Sequence, residues 1–216
     1  MSAWITRHPI ASTFVPLLLF VVSAGLLIAV QRARHATPGV GGELDDFGPV
    51  GAFTFVDKDG RTVTDQDLAG KTWIVACFFT CCTESCPQLS AAMARLQSEL
   101  AHVPDLRLVS LTVDPTHDTP QKLDQYATTY QASAERWIFL TGGEDAVRSF
   151  VQERLHLGAA PNTDPDATPG NRILHSDKLT LIDRRGVIRG YFDGRDPERV
   201  AALKSAAERL ARESAP

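Results

Sequence analysis

The pattern of apolar and polar positions divides the chain into an apolar head, a polar connector and a body of alternating strands and helices. Ile10 to Val30 is an uncharged apolar run of 21 residues, close to the roughly 20 that a helix needs to cross a bilayer core. It predicts a transmembrane anchor over 10–30 behind a short flank, 1–9. A cleaved signal peptide is the alternative, but its apolar region is usually about 7 to 15 residues, and no clean small-x-small site follows before Gln31 and Arg32. Arg7 before the run and Arg32 and Arg34 after it leave the orientation undecided by charge. Residues 31–51, rich in Gly, Pro and acid, read as a flexible tether, and a folded domain is expected over 52–213.

Within that domain, apolar and polar residues alternate through AFTFVDKDGRTVT around Asp59-Gly60, the signature of a tight hairpin. TWIVACFF, residues 72–79, is continuously apolar, as in a strand buried on both faces. Pro87 suits a first helical turn, and Leu89, Ala92, Met93, Leu96 and Leu100 recur at helical spacing, predicting a helix over 86–102. LRLVSLTVD is a second buried strand, followed by a helix from Thr119 with Leu123, Tyr126, Ala127 and Tyr130 on one face. RWIFLTG repeats the strand, and Val147, Phe150, Val151 and Leu155 repeat the helix. Between His156 and Arg172 lies a loop with three prolines, which predicts no regular element. KLTLID and VIRGYF form a closing hairpin around Arg184-Arg185-Gly186, and Val200, Leu203, Ala207 and Leu210 mark a last helix. This order predicts an α/β fold: a mixed sheet flanked by helices, of thioredoxin-like type.

Composition adds little to that picture except an exclusion. A net charge of −4 without a basic stripe gives no reason to expect a nucleic-acid partner. Cysteine placement adds more, because all four cysteines fall in CFFTCCTESC, residues 77–86. Cys77 lies inside the apolar strand, about 13 Å from Cys81 along an extended chain, and reads as a small core residue. Cys82 and Cys86 lie where strand gives way to helix, so residues four apart come within roughly 5–6 Å and can share a disulfide or a metal. Cys86 at a helix N-terminus also favours a thiolate. A static staple is the weaker explanation, since closing so short a loop removes little chain entropy. Of the six histidines, His117 reads as a surface turn residue. His175 follows the proline loop directly, and that loop is able to carry its imidazole to the cysteines. Two thiolates and an imidazole suit copper(I), and also zinc.

FFTCCTESCP, VSLTVDPTHDTPQKLDQYA and HSDKLTLIDRRGVIRGYFDG, in this order, resemble the three characteristic segments of the Sco/SenC family of membrane-anchored copper chaperones. The resemblance spans the whole soluble domain. It implies a thioredoxin-like fold, and Cys82, Cys86 and His175 as ligands of Cu(I) and, in some members, Cu(II). It also implies that Cys82 and Cys86 are redox-active, by disulfide formation. The implied partners are cytochrome c oxidase subunit II, whose binuclear copper centre the family helps to assemble by copper transfer or thiol reduction, and a donor chaperone. The implied location is a single-pass inner membrane protein whose domain faces the periplasm or an equivalent space, and the absence of an Arg/Ser-rich transit segment leans bacterial. The chain departs from the family pattern at Cys81, an additional thiol, at Thr83, where many members carry proline, and at Leu174, a position often acidic.

Three other readings compete. A metal-independent thiol-disulfide oxidoreductase of the thioredoxin superfamily would use the same cysteine pair, although such enzymes usually have a two-residue spacer and a cis-proline nearby, and no proline occurs between Asn171 and Ile188. A peroxiredoxin-like enzyme would use Thr80 and one cysteine and leave His175 idle. A zinc-stapled module would need a fourth ligand, from Cys81 or His117. The copper reading makes the 158–173 loop the gate of the site.

Overall fold

A computed structural model describes residues 44–213. The expected anchor over 10–30 lies outside these residues. Among the described residues no helix is long and apolar enough to cross a membrane.

The strands are β1 (Thr54–Asp57), β2 (Thr62–Thr64), β3 (Thr72–Phe78), β4 (Leu106–Thr112), β5 (Trp137–Thr141), β6 (Ala159–Pro161), β7 (Ile173–His175), β8 (Lys178–Ile182) and β9 (Ile188–Asp193). Seven of them form a mixed sheet in the order β2-β1-β5-β4-β3-β8-β9. The centre, β3, β4 and β5, is parallel, and β1, β2, β8 and β9 join antiparallel. The helices are α1 (Asp65–Leu68), α2 (Cys86–Glu99), α3 (Pro120–Thr129), α4 (Glu144–Ser149) and α5 (Pro197–Arg212). The expectation of a mixed sheet flanked by helices therefore holds. Helix α1, a single turn, has no periodic signal to reveal it.

Side chains of β3 alternate between two cores, as strand geometry requires. Ile74, Ala76 and Phe78 join Leu89, Met93 and Leu96 of α2 and Leu203 and Ala207 of α5 on one face. Trp73, Val75 and Cys77 join Phe53, Phe55, Phe150 and Val151 on the other. Cys77 is thus a core residue turned away from the face that holds Cys86. Burial raises its thiol to about 12, so it stays neutral.

Two expectations are corrected. The tether, expected to reach residue 51, has its last part built into the domain. The N–H of Phe47 donates to Ile188 and that of Val50 to Gly186, while Arg189 donates to the carbonyls of Leu44 and Asp45. Phe47 also packs edge-on against Tyr191. The backbone of this glycine- and acid-rich stretch pairs without needing a hydrophobic period of its own. The loop over 156–172, expected to lack regular structure, contains β6, paired antiparallel with β7. A proline at the end of an edge strand costs no ladder bond, so Pro161 is compatible with it. The third helix also departs from a simple α-helix, continuing α4 as a π-helical turn over Phe150–Arg154.

The turn that leaves β3 is clamped by Asp118, which is fully buried. Its carboxylate accepts from the N–H and hydroxyl of Thr80 and from the hydroxyl of Thr112. Hydrogen bonds to a charged acceptor are the strong ones, and leaving their donors unpaired is costly. Asp118→Ala is expected to lower unfolding stability by about 3 kcal/mol in urea titrations, more than a surface substitution such as Asp164→Ala.

Candidate metal centre

The cysteine turn begins where β3 ends. The N–H of Cys82 donates to the carbonyl of Phe79, and α2 opens at Cys86 with Pro87 in its first turn. Across from it, β7 delivers His175, whose Nε2 lies 3.1 Å from the sulfur of Cys86. The ligand atoms of Cys82, Cys86 and His175 all lie within 4.8 Å of one another. The three residues expected from sequence are therefore brought together, over an 89-residue separation between Cys86 and His175.

The arm carrying His175 is seated on the turn. Its Gly170 carbonyl accepts from the N–H of Thr83, between the two cysteines. A Cβ on Gly170 would meet the Thr83 hydroxyl at 2.5 Å, so a larger residue here would force the Thr83 side chain to move. Nδ1 of His175 donates to the carbonyl of Ser176 at 3.1 Å, which leaves Nε2 facing the sulfurs. Leu174, at a position often acidic in the family, has no side-chain acceptor to offer the ring, and the residue on the other side supplies one from its backbone. Leu174 itself points outward and is 55% exposed. Phe79 meets the imidazole edge-on, with centroids 5.8 Å apart.

The two thiols are unequal. Cys86 is fully buried and Cys82 partly open. Hydrogen bonding from the Cys86 thiol, outweighing burial and helped by His175 and by the N–H groups of Cys86 and Glu84, lowers Cys82 to about 4. The same bond, together with burial, pushes Cys86 far above the ordinary thiol range. One proton is thus shared by the pair, with the charge on the more open sulfur. Burial alone would lower His175, but the Cys82 thiolate and the Ser176 carbonyl raise it overall. The short contact of His175 is with Cys86, whereas the charge it responds to is that of Cys82.

Cys81 is exposed and stands outside this group, as does His117, whose Nδ1 pairs with Asp114 at 2.8 Å. The fourth ligand that a zinc staple would need is absent from the cluster among the described residues. Thr80, which a peroxiredoxin-like site would aim at its cysteine, gives its hydroxyl to Asp118. Beside the group lies a cleft of about 370 Å³ bordered by Glu84, Gln88, Leu174, Asp177 and Arg195. Sequence reasoning missed Asp118, Gly170 and the Ser176 carbonyl. The first had a signal in the spacing of Asp114 and Asp118, and the others had none because backbone groups and close approaches leave no residue-type signature.

The family model described as SCO1/SenC matches residues 44–210. The chain belongs to the SCO1/SenC family. Among its relatives is the SCO1 protein homolog of Bacillus subtilis, 40% identical over 144 residues, which are 66% of this chain and 72% of that one. Among solved structures, BsSco, a member of the Sco family of cytochrome c oxidase assembly proteins described with a disulfide switch, superposes with TM-score 0.68 at 27% identity. That match covers 80% of this chain and all of BsSco (100%). ScoI of Bradyrhizobium japonicum with copper bound superposes with TM-score 0.56 at 25% identity, covering 74% of this chain and 98% of that one. The match to the SCO1/SenC family starts at Leu44, where the N-terminal strap on β9 begins.

Thiolate reactivity tests the asymmetry of the pair. A group whose pKa is depressed stays charged down to the lowered value, so alkylation of Cys82 by iodoacetamide in reduced, metal-free protein is expected to fall only as pH drops through about 4. Cys86, protonated and buried, is expected to react far more slowly at every pH. A Cys82 midpoint at an ordinary thiol value, about 8.5, would contradict the assignment.

Proposed function

We propose that this SCO1/SenC protein binds copper through Cys82, Cys86 and His175 and hands it to the binuclear copper centre of cytochrome c oxidase subunit II or a similar copper protein. The observation that carries this reading is the gathering of two sulfurs and one imidazole nitrogen within 4.8 Å, with no fourth ligand in the group among the described residues. Soft sulfur donors with one imidazole favour Cu(I). The copper-bound ScoI relative, and the place of BsSco among cytochrome c oxidase assembly proteins, support the same cargo and destination. A site of three ligands suits transfer: an incoming thiolate from the acceptor adds as a further ligand before one protein donor leaves. The arm over 158–173 serves as the gate, since it leads into His175 and touches the cysteine turn at Gly170. The apolar run over 10–30 supports a single-pass anchor that holds the domain on the extracytoplasmic face, where a donor chaperone would load it.

A second reading, thiol reduction of the acceptor, is favoured by the low-pKa, partly open Cys82 beside the buried Cys86. The Cys82 thiolate attacks one sulfur of an acceptor disulfide and expels the other as a thiolate. Cys86 then gives up its proton and attacks Cys82, releasing the second acceptor sulfur. The acceptor gains two electrons and the pair ends as a Cys82–Cys86 disulfide, which a separate dithiol reductant must reopen. The two activities use the same reduced pair and are compatible in one protein.

Competition with a Cu(I) chelator tests the copper reading. Wild type is expected to bind one Cu(I), and His175→Ala to bind it at least about 10-fold more weakly. Equal affinities, or no binding by wild type, would sink the assignment. Because the metal must displace the proton held by Cys86, affinity is expected to rise with pH across the neutral range.

A further inference from the structure

The arm that bears His175 is tied to the body beside the site through a charged contact. Arg172, three residues before His175, pairs through Nη2 with the carboxylate of Asp114, just after β4. Asp114 is buried, at 6% exposure. Its other oxygen meets Nδ1 of His117, and its N–H donates to the hydroxyl of Thr112. The Arg172 guanidinium also lies over the ring of Phe79, 5.8 Å from its centroid, within the range where a cation is attracted to a π-face. Its Nε is buried without a hydrogen-bond partner. Phe79 in turn packs edge-on against the imidazole of His175.

These contacts form a continuous path from Asp114 through Arg172 and Phe79 to His175. An exposed ion pair contributes roughly 0–1 kcal/mol and fixes little. This one has a buried acceptor and a guanidinium stacked on the ring that bounds the imidazole. Four residues further on, Asp118 clamps Thr80 at the start of the cysteine turn. The short segment 114–118 therefore holds both halves of the site, the cysteine turn through one carboxylate and the histidine arm through the other.

We propose that Arg172, anchored by Asp114, is a positioning residue that sets the imidazole of His175 against Cys82 and Cys86. The proposal rests on the copper reading for its consequence but not for its geometry. Residues that orient a metal ligand typically change affinity by about 10–100-fold when removed.

The test uses the full chain in detergent and compares wild type, Arg172→Met and His117→Ala. Arg172→Met keeps an apolar stem on Phe79 and loses the ion pair. Cu(I) affinity against a chelator is expected to fall about 10-fold or more in Arg172→Met and to stay nearly unchanged in His117→Ala. In metal-free protein, at a pH high enough to keep the ring neutral, the nitrogen-15 signals of the His175 ring should show a single tautomer, protonated at Nδ1, in wild type. They should show a mixture in Arg172→Met. If Arg172→Met fails to fold, the double variant Arg172→Met/Asp114→Leu removes both charges together and is measured in its place, with the same results expected. Wild-type affinity and unchanged ring signals in the Arg172 variant would overturn the proposal while the copper reading stands. If wild type binds no copper but the ring signals shift as expected, the copper reading falls and the positioning role stands.

Discussion

β8 runs antiparallel to β3, with Leu179 opposite Ala76, so the residues leading into β8 arrive where β3 ends. That pairing makes the site possible. The chain leaves β3 into the cysteine turn, and the arm entering β8 descends beside it with His175. Neither half has a productive geometry without the other: the turn offers two sulfurs, and the arm a single nitrogen whose orientation is set by the Ser176 carbonyl. Because the sheet is buried on both faces, β3 cannot slip by one residue without moving its apolar side chains into the wrong core. Sheet register therefore translates into ligand placement.

On this frame the electrostatics divide the work between the two cysteines. Cys82 is partly open and carries the charge, favoured first by the thiol of Cys86 and then by His175 and the N–H groups of Cys86 and Glu84. Cys86 is sealed in the core beside Leu89 and Phe79 and retains the proton. A cargo or a partner sulfur thus meets a charged, accessible atom first and reaches the buried one second. This order would serve ligand exchange and thiol exchange alike, so the two proposed activities are compatible with one pair of residues.

Much of this is legible in the sequence, and the boundary of what is legible has physical causes. Strands buried on both faces, such as residues 72–78, reveal themselves by continuous apolar runs, and α2 by its period. Strand geometry separates Cys77 from the pair, and the helix start joins Cys82 to Cys86. The β6–β7 arm stays hidden because three residues on each side of a proline-rich excursion carry no period. The strap at 44–50 stays hidden because it is held by backbone bonds to β9 and by Arg189, rather than by a patterned apolar face. The contacts that orient His175 run through a carbonyl, a glycine approach and a stacked arginine, none of which a motif encodes.

Copper K-edge absorption of protein loaded with one equivalent of Cu(I) measures the ligand set directly. The account predicts two sulfur scatterers and one imidazole nitrogen, with the imidazole contribution lost in His175→Ala and the spectrum unchanged in Cys81→Ser. Three sulfurs in wild type, or an imidazole signal that survives in His175→Ala, would contradict it.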